Sequence, residues 1–204
     1  MNGAVPPEAG AQANGSAPLD ACLDEAMDLA MLIVEREAKA LQYVSETLQK
    51  SPEKKERFRQ ALALALESTG QAHGGPSIIA RKIASMLLSL GTQAIFLHPA
   101  DCLHGDLGAV FPGHDVVLAL SYSGQSHETV SFLDLEPVRR GGVSGALAEA
   151  YPAIPAPTSS TTVMLALGDA FSIALTRAKG IEKATFKRNH PGGNLGMVFR
   201  QEKE

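Results

Sequence analysis

The chain has 204 residues, 45% hydrophobic and 20% charged, a composition that can build a core and excludes wholesale disorder, collagen and long coiled coils. Its 18 Lys and Arg against 22 Asp and Glu leave a net charge of −4, and the basic cluster Lys54, Lys55, Arg57 and Arg59 is interleaved with acids, so nucleic acid is not an expected partner. No apolar run approaches the ~18 uninterrupted residues of a membrane span and no basic-then-apolar leader opens the chain, so the expectation is a cytoplasmic protein with no membrane partner.

Residues 1–18 are Ala, Gly, Pro and Asn with almost no large apolar side chain, and read as a disordered tail. A single domain is expected over 19–204, with N-terminal helices in 19–69 and an α/β part in 70–204. Cys22 and Cys102 have no metal-ligand spacing and read as two reduced, buried thiols. From Asp20 to Lys50, apolar residues recur at steps of three and four and predict one long amphipathic helix that needs a partner surface. Ser51, Pro52 and Glu53 open a second helix, which stops before Gly70. Residues 70–75 read as a loop. Ser77 then caps a third helix, Ile78 to Leu90, closed by Gly91.

Ala94 to His98 and Asp115 to Tyr122 are short Ile, Val and Leu runs, predicting two strands of a parallel sheet buried on both faces. The last helix is expected between Thr158 and Gly180, and a Gly- and Pro-punctuated tail from His190 to Arg200.

Four places could carry chemistry. The second strand runs into Ser121, Tyr122, Ser123, Gly124, Gln125 and Ser126 and then a helical segment, where backbone N–H groups and hydroxyls could converge on a phosphate; the same residues also suit a plain Ser/Gly turn. His98, His104 and Asp106 follow the first strand, and structural histidines fit them better than a metal site. Glu128 and Glu149 flank the Ser-rich loop and the segment Thr158, Ser159, Ser160, Thr161; either could move a proton between adjacent carbons, and either read alone is a solvated acid. His190 sits in the turn Asn-His-Pro-Gly-Gly, where an imidazole could act as an acid.

Taken in order, FLHPADCLHGDLG, DVVLALSYSGQSHET, APTSSTTVMLALGDA and NHPGGNLG resemble the sugar isomerase (SIS) domain of the arabinose 5-phosphate isomerase family. The resemblance implies an α/β fold, a three-layer α/β/α sandwich around a parallel sheet, with a phosphorylated sugar as ligand. It implies no required cofactor or metal, and homo-oligomers whose sites are shared between subunits. By position, Ser121, Ser123, Gly124, Gln125 and Ser126 would hold the phosphate and Thr158 to Thr161 would line the pocket, with His104, Glu128, Glu149 and His190 as the active-site polar residues. The implied reaction is ribulose 5-phosphate to arabinose 5-phosphate through an enediolate. The alternative is a non-catalytic phosphosugar-binding or regulatory protein.

Two departures from the family pattern stand out. Where the family has a strand and a loop Gly-x-Gly-Lys-Ser-Gly, this chain has Ala72, His73, Gly74, Gly75, Pro76 and Ser77, so the lysine is missing and the strand is expected to be missing with it. Between Glu128 and Glu149 there are too few residues for the further strand and helix that the family places there. The sheet is therefore expected to be incomplete.

Overall fold

The computed structural model describes residues 19–70, 72–74, 78–121, 148–154 and 156–192, with 194, 197 and 198. The chain starts with α1 (Leu19–Lys50), whose inward stripe of Ile33, Leu41, Val44 and Leu48 is half-buried, while residues 19–28 are all exposed. Cys22 is accordingly exposed, correcting the expectation of two buried thiols; Cys102 is buried, and burial, with Asp106 and Asp101 nearby, pushes its thiol up. At Ser51 the chain restarts as α2 (Pro52–Glu67): the Ser51 hydroxyl accepts from the Lys54 amide at 3.3 Å, and Pro52 sits where a missing N–H costs nothing.

Three parallel strands follow: β1 (Ala72–Gly74), β2 (Ala94–Phe96) and β3 (Val116–Leu118), in the order β2-β1-β3. The strand expected to be missing is present, and it is the central one. Ala-His-Gly has no β-branched residue to announce a strand, but here both flanking strands supply the ladder, so context overrides propensity. The lysine remains absent from the sequence. Of the stretch read as too short for a strand and helix, all but Ala148 lies outside the described residues.

Gly70 is required where α2 hands over to the sheet. Its amide donates to the His114 carbonyl at 2.9 Å, and a Cβ there would stand 1.8 Å from the Asp115 carboxylate. β1 connects to β2 through α3 (Ile78–Ser89), and β2 to β3 through the short α4 (Pro99–Cys102) and a 3-10 turn (Asp106–Ala109).

Strand alternation feeds two cores. Ala94, Phe96, Leu118 and Leu120 join Ile79, Ile83, Leu87, Phe171 and Leu175, while Ile95, Leu97 and Val117 join Cys102 and Val110. Both sheet faces are apolar and covered, as expected of parallel strands.

The helix over α3 is α5 (Ser159–Ala178). By length and composition it could cross a membrane, but its Phe171 and Leu175 are buried in this core and its Val163 is buried as well. A Cβ at Gly168 would stand 2.1 Å from Ile83 Cδ1, so the two helices touch backbone to side chain. Further along both, Ile181 approaches Gly91, whose φ is +94°. Mid-α3 thus meets mid-α5 and end meets end, so the two helices run in the same direction. A short helix not expected from the sequence, α6 (Lys183–Asn189), follows; Asn189 Nδ2 donates to the Leu88 and Ser89 carbonyls at 3.3 and 3.2 Å, closing the C-terminal end of α3.

Candidate functional site

The strand order defines where a ligand would sit. From β1 the chain moves to one side, to β2, and then returns past β1 to β3, so the direction of winding reverses between β1 and β3. In open parallel sheets the crevice outside the carboxyl ends of the strands at such a reversal is the common ligand position. Gly74 is in register with both Phe96 and Leu118, so the three carboxyl ends are level. Ser121, half-buried, leaves β3 at this edge. Ser123, Gly124, Gln125, Ser126 and Glu128, which follow it in sequence, lie outside the described residues.

Glu149 comes to the same edge. Because α5 runs parallel to α3, its N-terminus lies at the end where α3 leaves β1. There the Glu149 Oε2 accepts from the Thr158 amide at 2.8 Å, the Thr158 hydroxyl at 3.0 Å and the Ser160 amide at 3.3 Å. The Ala150 amide in turn donates to the Thr158 hydroxyl at 2.9 Å. Thr158 is the N-cap residue, but its side chain makes no cap; a carboxylate from nine positions earlier takes over the role, favoured by the positive end of the helix. Burial pushes the Glu149 carboxyl up, but the Ser160 and Thr158 hydroxyls and amides outweigh it and hold the group below the usual carboxylate range.

The expected pocket residues are therefore engaged with the protein itself. Ser159 and Ser160 are buried, and the Thr161 hydroxyl donates to the Thr158 carbonyl at 2.9 Å. Two residues that the sequence did not single out complete the arrangement. Arg36 Nη1 donates to the Ala150 carbonyl at 2.6 Å, and the Thr162 hydroxyl donates to Glu37 Oε2 at 2.8 Å. Both pairings span more than a hundred residues, and no local pattern signals them.

The two histidines lie elsewhere. His104 is exposed in the turn after α4, on the sheet face away from α3 and α5. His190 follows α6; its Nδ1 is 2.9 Å from the Phe186 carbonyl, and its ring stacks on Phe186 with centroids 4.0 Å apart. A carbonyl only accepts, so Nδ1 carries the proton and Nε2 is the acceptor of the neutral ring. Since α6 is anchored at the C-terminal end of α3, His190 stands beyond the far end of that helix from the carboxyl edge. With 12 residues, α3 is about 18 Å long. Glu149 and Ser121 are thus gathered at one edge, and His190 is not with them.

Solved structures share this architecture. An Escherichia coli protein in complex with arabinose 5-phosphate superposes with a TM-score of 0.68 at 28% identity, over 82% of this chain and 98% of that one. A proposed sugar-phosphate isomerase of Listeria monocytogenes gives 0.65 at 21% identity, over 87% and 100%, a likeness of fold. No protein-family model matches the chain. In class, this is an α/β protein with the fold of these sugar-phosphate isomerase structures. More narrowly, it is a homologue of the arabinose 5-phosphate isomerases: it is 40% identical over 165 residues to arabinose 5-phosphate isomerase KdsD of Pseudomonas aeruginosa, over 68% of this chain and 50% of that protein. The chain spans about half the length of the curated relatives it matches.

Proposed function

We propose that the chain binds a phosphorylated sugar at the carboxyl edge of its sheet, in a three-layer SIS fold, and interconverts ribulose 5-phosphate and arabinose 5-phosphate there. The observation that carries this reading is that one edge of the sheet, at the winding reversal, holds both the start of the Ser121 to Ser126 loop and the anchored carboxylate of Glu149. In the reaction, a carboxylate takes a proton from C1 of ribulose 5-phosphate to give an enediolate. Protonation at C2 and transfer of the O1 proton to O2 then give the aldose. A carboxylate held below its usual range is a weak base, so we assign proton abstraction to Glu128 and give Glu149 the orienting of the sugar hydroxyls and of the α5 terminus. His190 and His104 are the candidates for ring opening. Because His190 lies beyond the far end of α3, it reaches a carboxyl edge only in a second copy, which makes the working form a homo-oligomer with shared sites.

A specific observation favours a second reading, a binding or regulatory domain. Residues 74–77 are Gly-Gly-Pro-Ser without the family lysine, and Glu149 is held by its own helix. Thermal melting with millimolar arabinose 5-phosphate, followed by NMR of the sugar over time, separates these. An upward shift in Tm with conversion to ribulose 5-phosphate supports the enzyme, and a shift without conversion supports the binder. No shift overturns both.

A further inference from the structure

We infer that Arg36 and Glu37 of α1 are positioning residues for the carboxyl-edge site, fixing where Glu149 and the first turn of α5 stand. The inference rests on the reading of that edge as the ligand site. The geometry is a two-handed grip from consecutive residues of one helix. Arg36 Nη1 holds the carbonyl of Ala150, the residue directly after Glu149, and Glu37 Oε2 takes the hydroxyl of Thr162, one turn along α5 from Thr158. Between these two holds lies the cap itself, in which Glu149 binds the Thr158 and Ser160 amides and Ala150 binds the Thr158 hydroxyl. The loop carrying Glu149 and the helix it caps are therefore each tied to the same turn of α1.

This arrangement restricts movement that the cap alone permits. A carboxylate on a loop can follow its amides if loop and helix move together; two holds on a third, rigid element remove that freedom. Preorganisation of this kind matters because a displacement of an ångström in a site can cost orders of magnitude in rate. It also gives α1, which buries no residue completely, a role in the site.

The test uses the full chain, with Arg36→Gln, Arg36→Lys and Thr162→Val; the last removes the hydroxyl at nearly constant volume. The first readout is the carboxyl-carbon NMR titration of Glu149, identified by its disappearance in Glu149→Gln. The second is arabinose 5-phosphate affinity by titration calorimetry. In Arg36→Gln and Thr162→Val, the Glu149 midpoint is expected to rise toward the ordinary carboxylate value as its fixed donors loosen. Affinity is expected to fall about 3- to 10-fold, with Arg36→Lys recovering most of both. An unchanged Glu149 midpoint in the folded Arg36→Gln and Thr162→Val proteins overturns the inference, whatever the sugar does. Wild-type protein that does not bind the sugar instead overturns the functional reading on which the inference rests, and a raised Glu149 midpoint in the variants then reports a helix cap alone.

Discussion

Glu149 shows how much one side chain can decide. At the N-terminus of α5 it meets amides that otherwise have no partner, and as an anion it also complements the helix dipole. Its folded pKa is lowered, so its stabilising contribution is complete above the unfolded value of 4.5 and is lost as pH falls through the folded value. Glu149→Gln should therefore cost about 1–2 kcal/mol at pH 7. Thermal melts at a series of pH values should show this difference narrowing below pH 4.5, and a constant difference would mean that charge is not the cause. At this scale the sequence singled out Glu149, Thr158 and Ser160 by type and order, and the structure brings the three together in one helix cap. It was silent about Arg36 and Glu37, because an arginine on a helix face carries no mark of the carbonyl it meets 114 positions later.

Among the elements, the helices with periodic apolar faces and signalled ends were legible: α1, α2 and α3 lie close to where capping and spacing put them. The two apolar strands were legible too. What escaped were β1 and α6, elements of three and seven residues. Each is made by its neighbours, β1 by ladders on both sides and α6 by the carbonyls at the end of α3. The contact of α3 with α5 belongs to the same scale. Gly168→Ala would drive a methyl into Ile83, which is 1% exposed and has little room to give, so a loss of about 1–3 kcal/mol is expected. Ile83→Val should cost about 0.5–1.5 kcal/mol alone, yet lessen the loss when combined with Gly168→Ala because it removes Cδ1, the nearer of the two clashing Ile83 atoms. Chemical denaturation of the four proteins measures the coupling; strictly additive losses would show that the helices separate freely.

For the whole molecule, the position of His190 is the consequential fact, since it lies on the amino side of the sheet while Ser121 and Glu149 lie at the carboxyl edge. If both ends serve one reaction, one copy's end must meet the other copy's edge. Subunit mixing then has a definite outcome. Glu128→Gln and His190→Ala should each lose most turnover as pure proteins, the first for want of the base and the second for want of the partner's imidazole. Unfolded together in equal amounts and refolded, half of randomly formed dimers contain one of each. In such a dimer one site receives both damaged residues and the other receives neither, so about a quarter of wild-type activity should return. Refolding each variant alone is the control. Recovery in the mixture alone establishes a site shared between copies; no recovery means that His190 serves no site but its own, and that its place on Phe186 is structural.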